Sequence, residues 1–203
     1  MQVTPLTPDR LADRVATLVE ARPGRVRLVV DGPPPTRPDV LAGHVARDLR
    51  TRGRAAVLVA AADFLRPASL RLERGRTDPD EFLDGWLDDA GLRREVLDPA
   101  ATTGRVLPRL RDAAVDRAFR DGYTQLPADG VVVVAGGLLL GRGLPFDVAV
   151  HLRMGPAALA RGLPADEHWT LPAYARYAAE RDPEGAADVL VFADHPDRPA
   201  VRR

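Results

Sequence analysis

The sequence predicts an α/β protein with a mainly parallel, five-stranded sheet covered by helices on both faces. Three observations carry this. Short runs rich in Val recur at 25–31, 55–60, 131–134, 147–152 and 187–192. Segments with helical spacing or helix-like composition fall between them, the alternation expected of strands joined by crossover helices. The run VVVV at 131–134 is apolar on both faces, as a strand buried in a parallel sheet must be.

In chain order, a first helix is predicted over about 7–22. Thr7 can cap it, Pro8 suits the first turn, and Leu11, Val15 and Leu18 share a face. Pro23-Gly24 ends it, and the strand 25–31 (RVRLVVD) follows. Gly32-Pro33-Pro34-Pro35 breaks the pattern, and a helix over about 38–51 buries Leu41, Val45 and Leu49. After the strand 55–60 comes an Arg- and Pro-rich loop or short helix over 63–79. A helix-like stretch spans 80–97, and 102–129 is irregular. Short helices are expected at 156–161 and 171–180, inside a segment of about 156–183 that could form a small lid. A length of 203 residues suits one domain over 1–203.

Composition removes several chemistries. The chain has no Cys, Lys, Asn or Ile, one serine (Ser69), and 29 basic residues that are all Arg. Disulfides, thiolate metal sites and lysine Schiff bases are therefore excluded. Ser69 lacks a G-x-S-x-G setting, which leaves hydrolase chemistry without support. His44, His151, His168 and His195 show no metal-ligand spacing, so no metal site is expected. A net charge of zero and few aromatics argue against nucleic-acid binding. The apolar run 131–140 is too short to span a bilayer, and the first ten residues lack the pattern of a secretory signal, so a cytoplasmic protein is expected.

A strand, a glycine and a helix form the setting of a phosphate-binding loop, G-x-x-x-x-G-K-[ST]. Laid from Gly32, those positions read Gly32-Pro33-Pro34-Pro35-Thr36-Arg37-Pro38-Asp39. The cradle works by aiming backbone N–H groups at phosphate oxygens, and proline has none. Pro38 stands where the lysine belongs, and Asp39 where the magnesium-binding hydroxyl belongs. A carboxylate there already satisfies the helix dipole. The same residues also read as a helix start, with Thr36 as N-cap and Asp39 closing a capping box. Arg37 could alternatively hold phosphate from its side chain.

Several blocks together resemble the uridine kinases. They are Val29-Val30-Asp31-Gly32, Ala62-Asp63-Phe64-Leu65-Arg66-Pro67, Arg74-Gly75-Arg76-Thr77-Asp78-Pro79 with Phe82 and Leu97-Asp98-Pro99, the stretch 131–140, and Ala187-Asp188-Val189-Leu190. They run in order from first strand to last. The resemblance implies a P-loop kinase-like three-layer fold with a small lid, ATP and Mg2+ as cofactors, and a nucleoside or nucleotide as ligand. It also exposes losses. The family's catalytic base falls on Ala62, the acidic residue after the third strand on Ala135, and the lysine on Pro38. Losing one charge-stabilising donor typically costs on the order of 10²–10³ in rate.

The candidate site residues follow from this alignment. Gly32, Thr36, Arg37 and Asp39 would face the nucleotide. Asp63 would be the base, or would cap the segment begun by Pro67. Phe64, Arg66, Arg74, Arg161 and Arg176 would contact substrate. Phe64 and Trp86 could stack a base or pack the core, and Arg66, Arg71, Arg74 and Arg76 could gather around an anion or form a solvated face. Two functions are expected on these terms: a homologue that binds a nucleoside, nucleotide or partner without catalysis, or an atypical kinase using Arg37 and Asp63. The oligomeric state is left open.

Overall fold

A computed structural model of the protein describes residues 3–202. Its sheet contains β1 (Val3–Pro5), β2 (Val26–Asp31), β3 (Ala56–Ala60), β4 (Val131–Gly136), β5 (Val148–Arg153), β6 (Val189–Phe192) and β7 (Ala200–Arg202). The order across the sheet is β1-β7-β6-β5-β2-β4-β3. Five consecutive strands, β6-β5-β2-β4-β3, are mutually parallel and are those the sequence predicts. The other two, β1 and β7, are not in that prediction. β7 pairs antiparallel with β6, and β1 antiparallel with β7. At three residues each, they are too short to show an alternation.

Strand alternation divides the core into two. On one face Val26, Leu28 and Val30 pack with Val131, Val133, Val148 and Val150 under α1 (Pro8–Glu20) and α2 (Pro38–Thr51). Leu11, Val15 and Val19 of α1 are at most 3% exposed, and each such burial is worth about 1.5–3 kcal/mol. Thr7 caps α1 as expected, its Oγ1 accepting from the Arg10 N–H at 3.3 Å. On the other face Val29, Val132, Val134 and Ala149 pack against Phe64, Leu83, Leu92, Val96 and Tyr177.

That second layer is more broken than the sequence suggests. The stretch of helix-like composition over 80–97 holds α3 (Pro79–Asp84), an α-helical turn at Asp89–Leu92 and a π-helical turn at Arg93–Leu97. The break lies at Gly85-Trp86-Leu87, where Leu87 bridges Leu65 and the Trp86 carbonyl accepts from the Arg66 N–H at 2.9 Å. Pairing with the chain that leaves β3 wins over helical continuation. The segment after β5 holds α4 (Pro156–Gly162), a 3-10 turn at Ala165–Thr170 and α5 (Leu171–Arg181). No helix among the described residues is long and apolar enough to cross a membrane.

One ion pair ties β2 to the start of β5. Arg27 gives Asp147 its backbone N–H (2.8 Å), Nε (2.9 Å) and Nη2 (2.7 Å). Burial pushes the Asp147 carboxyl up, but the Arg27 bonds outweigh it and hold it below the usual carboxylate range. A depressed folded pKa stabilises above the unfolded carboxylate range, near pH 4, and that stability is lost as pH falls through the folded value. Asp147→Asn should therefore cost about 1 kcal/mol at neutral pH and flatten the acid side of the stability profile, read as urea midpoints against pH.

Candidate functional site

In open parallel sheets, ligands bind beyond the carboxyl ends of the strands, where neighbouring connections leave for opposite faces. Here α2, which follows β2, packs on the first face, whereas the α5 residues Ala173 and Tyr177, which follow β5, pack on the second. β2 and β5 are adjacent, so the crevice opens between Asp31 and His151.

The loop leaving β2 does not form a phosphate cradle. The Gly32 N–H donates to the Gly136 carbonyl, Thr36 N–H to the Pro33 carbonyl and Arg37 N–H to the Pro34 carbonyl, each at 2.9 Å. The prolines between have no N–H to offer. Every backbone donor from Gly32 to Arg37 is thus engaged inside the protein, and these residues do not fit a nucleotide triphosphate. The loop is a 3-10 turn, Pro34–Thr36, and its Thr36 hydroxyl donates to the Pro33 carbonyl at 2.7 Å. Thr36 is therefore not the N-cap of α2. Arg37 takes that position in a left-handed conformation, φ 56°, with no side-chain cap. Gly32 is required by close approach, since a β-carbon there would lie 2.6 Å from Thr36 Oγ1 and 2.7 Å from Leu152 Cβ.

Of the candidate residues, Gly32 and Asp39 border a cavity of about 380 Å³. Ala62 and Ala135, where the resemblance expects carboxylates, line the same cavity, beside Phe82, Trp86 and Tyr174. Phe82 meets Trp86, Trp169 and Tyr174 edge-on, with centroids 5.1, 5.4 and 6.0 Å apart. Trp86 Nε1 is buried without a hydrogen-bond partner. Asp39 is an exposed carboxylate at the rim.

The other candidates lie elsewhere. Arg37 pairs with Asp197 at 2.5 Å and, with Thr36, borders a separate cavity of about 210 Å³. Asp63 lies outside both the 380 Å³ cavity and its larger neighbour. Burial raises its pKa above the ordinary value, Arg109 lowers it, and Asp112 and Asp121 add to the rise. Phe64 is wholly buried in the second core. Arg74 pairs with Glu81, and Arg71 packs over Trp86, its Nε on the Arg66 carbonyl. Arg176 sits among Asp80, Asp84 and Glu180, and Arg161 is exposed at the end of α4. The arginines from Arg66 to Arg76 do not converge on one of these cavities. Among the described residues, no cluster of His or acidic side chains could hold a metal ion.

A second cavity, of about 500 Å³, shares Gly32, Leu138 and Tyr174 with the first. Sequence reasoning missed the polar group at its wall. Asp31, the last residue of β2, and His151, in the second half of β5, are register partners on the second face by alternation from Val29 and Ala149. Asp31 is 0% exposed, and its carboxylate accepts from three donors. Oδ1 takes the Leu139 N–H (2.8 Å), while Oδ2 takes His151 Nδ1 (2.7 Å) and the Tyr177 hydroxyl (3.0 Å). The Tyr177 oxygen in turn accepts from the Leu140 N–H at 2.9 Å. Burial first, then the Asp31 charge, raises the pKa of Tyr177, and the same two causes raise that of Tyr174. Both phenols stay protonated. The signal in the sequence was one polar residue late in each of two largely apolar strands.

No protein-family profile matches the chain, and no curated protein matches it. Solved structures do. A protein solved as a possible uridine kinase from Bacillus stearothermophilus matches at TM-score 0.71 and 19% identity, over 90% of this chain and 99% of that one. A protein assigned as a fructose transport system kinase from Silicibacter sp. TM1040 matches at TM-score 0.62 and 24% identity, over 89% and 92%. The YGR205w protein matches at TM-score 0.65 and 12% identity, over 97% and 99%. The protein has the uridine kinase-like, P-loop kinase fold that these structures share.

Proposed function

We propose that the protein binds a neutral nucleoside in the 380 Å³ cavity and does not perform ordinary ATP-dependent phosphoryl transfer. One observation carries the reading: the backbone donors of the loop after β2 are all spent within the protein. Phosphoryl transfer depends on positioned charge, and the 380 Å³ cavity has alanine at both positions where the resemblance expects carboxylates. Its one basic side chain, Arg142, is held by Asp89 and by the Leu83 and Leu138 carbonyls. Asp39 at the rim repels anions, which favours a nucleoside over a nucleotide. Trp86, Phe82 and Tyr174 give the wall aromatic surface, and aromatic stacking of a base is typically worth about 1–3 kcal/mol.

The test is a paired titration. Uridine and other nucleosides are followed by tryptophan fluorescence, and ATP with magnesium by calorimetry. Saturable nucleoside binding that weakens on the order of tenfold or more in Trp86→Leu is expected, with no heat from ATP up to millimolar concentration. Micromolar ATP binding lost in Arg37→Ala would instead favour an atypical kinase using Arg37 and Asp63. That reading needs both side chains to leave their present surroundings, because neither borders the 380 Å³ or 500 Å³ cavity.

A further inference from the structure

We propose that the 500 Å³ cavity is a second ligand site, built for a largely apolar molecule that carries one hydroxyl or N–H donor and gives it to His151 Nε2. The argument begins with the tautomer. Asp31 Oδ2 lies 2.7 Å from His151 Nδ1 and also accepts from Tyr177, so the shared proton sits on Nδ1. Binding of such a donor requires the neutral imidazole, in which the other nitrogen is then an acceptor. His151 is 5% exposed and borders the cavity, and Nε2 has no hydrogen-bond partner among the described residues. It is not among the fully enclosed unpartnered atoms either, so it opens into the cavity. An acceptor held rigidly by a buried carboxylate, in a largely apolar wall, is incomplete without a donor.

The rest of the wall defines the ligand. It is mostly aliphatic and proline-rich, with Leu138, Met154, Leu159, Leu171 and Pro172 prominent. Its one guanidinium, Arg153, donates its Nε to Glu184 at 2.9 Å, and that carboxylate, also on the wall, disfavours an incoming phosphate or carboxylate. Asp31 is wholly buried under its three donors, and the Tyr177 hydroxyl already donates to it. A sugar, with several hydroxyls to satisfy, would lose more hydration than the cavity returns. A volume of about 500 Å³ lies within the range of small-molecule sites, and the position at the β2–β5 crevice is where this fold class places ligands. This site stands apart from the nucleoside proposal: neither His151 nor Tyr177 borders the 380 Å³ cavity.

2-Naphthol and 2-methoxynaphthalene serve as probes, equal in ring system and differing in the donor. With the wild-type protein, 2-naphthol is expected to bind about tenfold more tightly, the worth of one good buried hydrogen bond. His151→Phe keeps the apolar wall and should bring the two affinities together by weakening 2-naphthol alone. Because that variant also strips a donor from Asp31, a second one leaves the network untouched. Ala175→Trp, at an exposed position on the α5 side of the cavity, should weaken both probes by more than tenfold through occlusion. Imidazole nitrogen resonances should show Nδ1 protonated in the free protein and Nε2 shifted by 2-naphthol. Equal affinity of the two probes for the wild type, or 2-naphthol binding unchanged in Ala175→Trp, overturns the proposal.

Discussion

Asp31→Ala is expected to lower the unfolding free energy by about 3–5 kcal/mol, the largest loss from a single truncation near the site. The carboxylate is wholly buried, and truncation removes it from three donors at once: the Leu139 N–H, His151 Nδ1 and the Tyr177 hydroxyl. Each becomes a buried polar group without a partner, typically a cost of about 1–3 kcal/mol before relaxation. The void left behind adds to the cost. For a chain of this length, each kcal/mol shifts Tm by about 2–4 °C, so a fall of roughly 6–20 °C is expected.

Asp31→Asn separates charge from shape. Its amide keeps one acceptor for the Leu139 N–H but turns an NH₂ toward two groups that were donating. Imidazole can answer by moving its proton to Nε2, whereas the Tyr177 hydroxyl has to find another acceptor. Thermal denaturation should therefore place Asn between wild type and Ala, and the His151 nitrogen resonances should report the changed tautomer. Equal stability of wild type and Asp31→Ala would mean that the network is dispensable for folding.

The fold was legible because periodicity is local. Val29 and Val30, Val131 to Val134 and Ala149 mark the parallel strands from any window of a few residues. The break at Gly85-Trp86-Leu87 was not legible, because it is decided by pairing with Leu65 and Arg66, which are distant in sequence. The loop after β2 divides instructively. Its prolines announced missing N–H groups, but the pairing of Arg37 depends on Asp197, 160 positions away. Asp31 and His151 were visible as polar residues late in largely apolar strands, yet their meeting requires the order β5-β2-β4, which no single strand encodes.

Arg142 should be the second most sensitive position near the site, with Arg142→Met costing about 2–4 kcal/mol in urea unfolding. Its guanidinium is 6% exposed and spans three acceptors: the Leu138 carbonyl, the Leu83 carbonyl and Asp89 Oδ2. Leu138 adopts a left-handed conformation, φ 62°, which costs a branched residue roughly 1–2 kcal/mol and persists only where neighbours enforce it. Two anchors do so: Arg142 holds its carbonyl, and Asp31 holds the N–H of the next residue. Met fills the volume but supplies no donor, and Asp89 loses its cation, a smaller loss because that side chain is 37% exposed. Lys restores charge without the planar fork, so Arg142→Lys should recover only part of the stability. Asp89→Asn, which spares both carbonyl bonds, should cost least. Leu138 borders both cavities, so releasing it should also speed amide exchange at Leu139 and Leu140 and weaken nucleoside and naphthol binding together. Loss of stability with unchanged exchange at those two amides would show that Arg142 supports the packing of α3 and not the turn at Leu138.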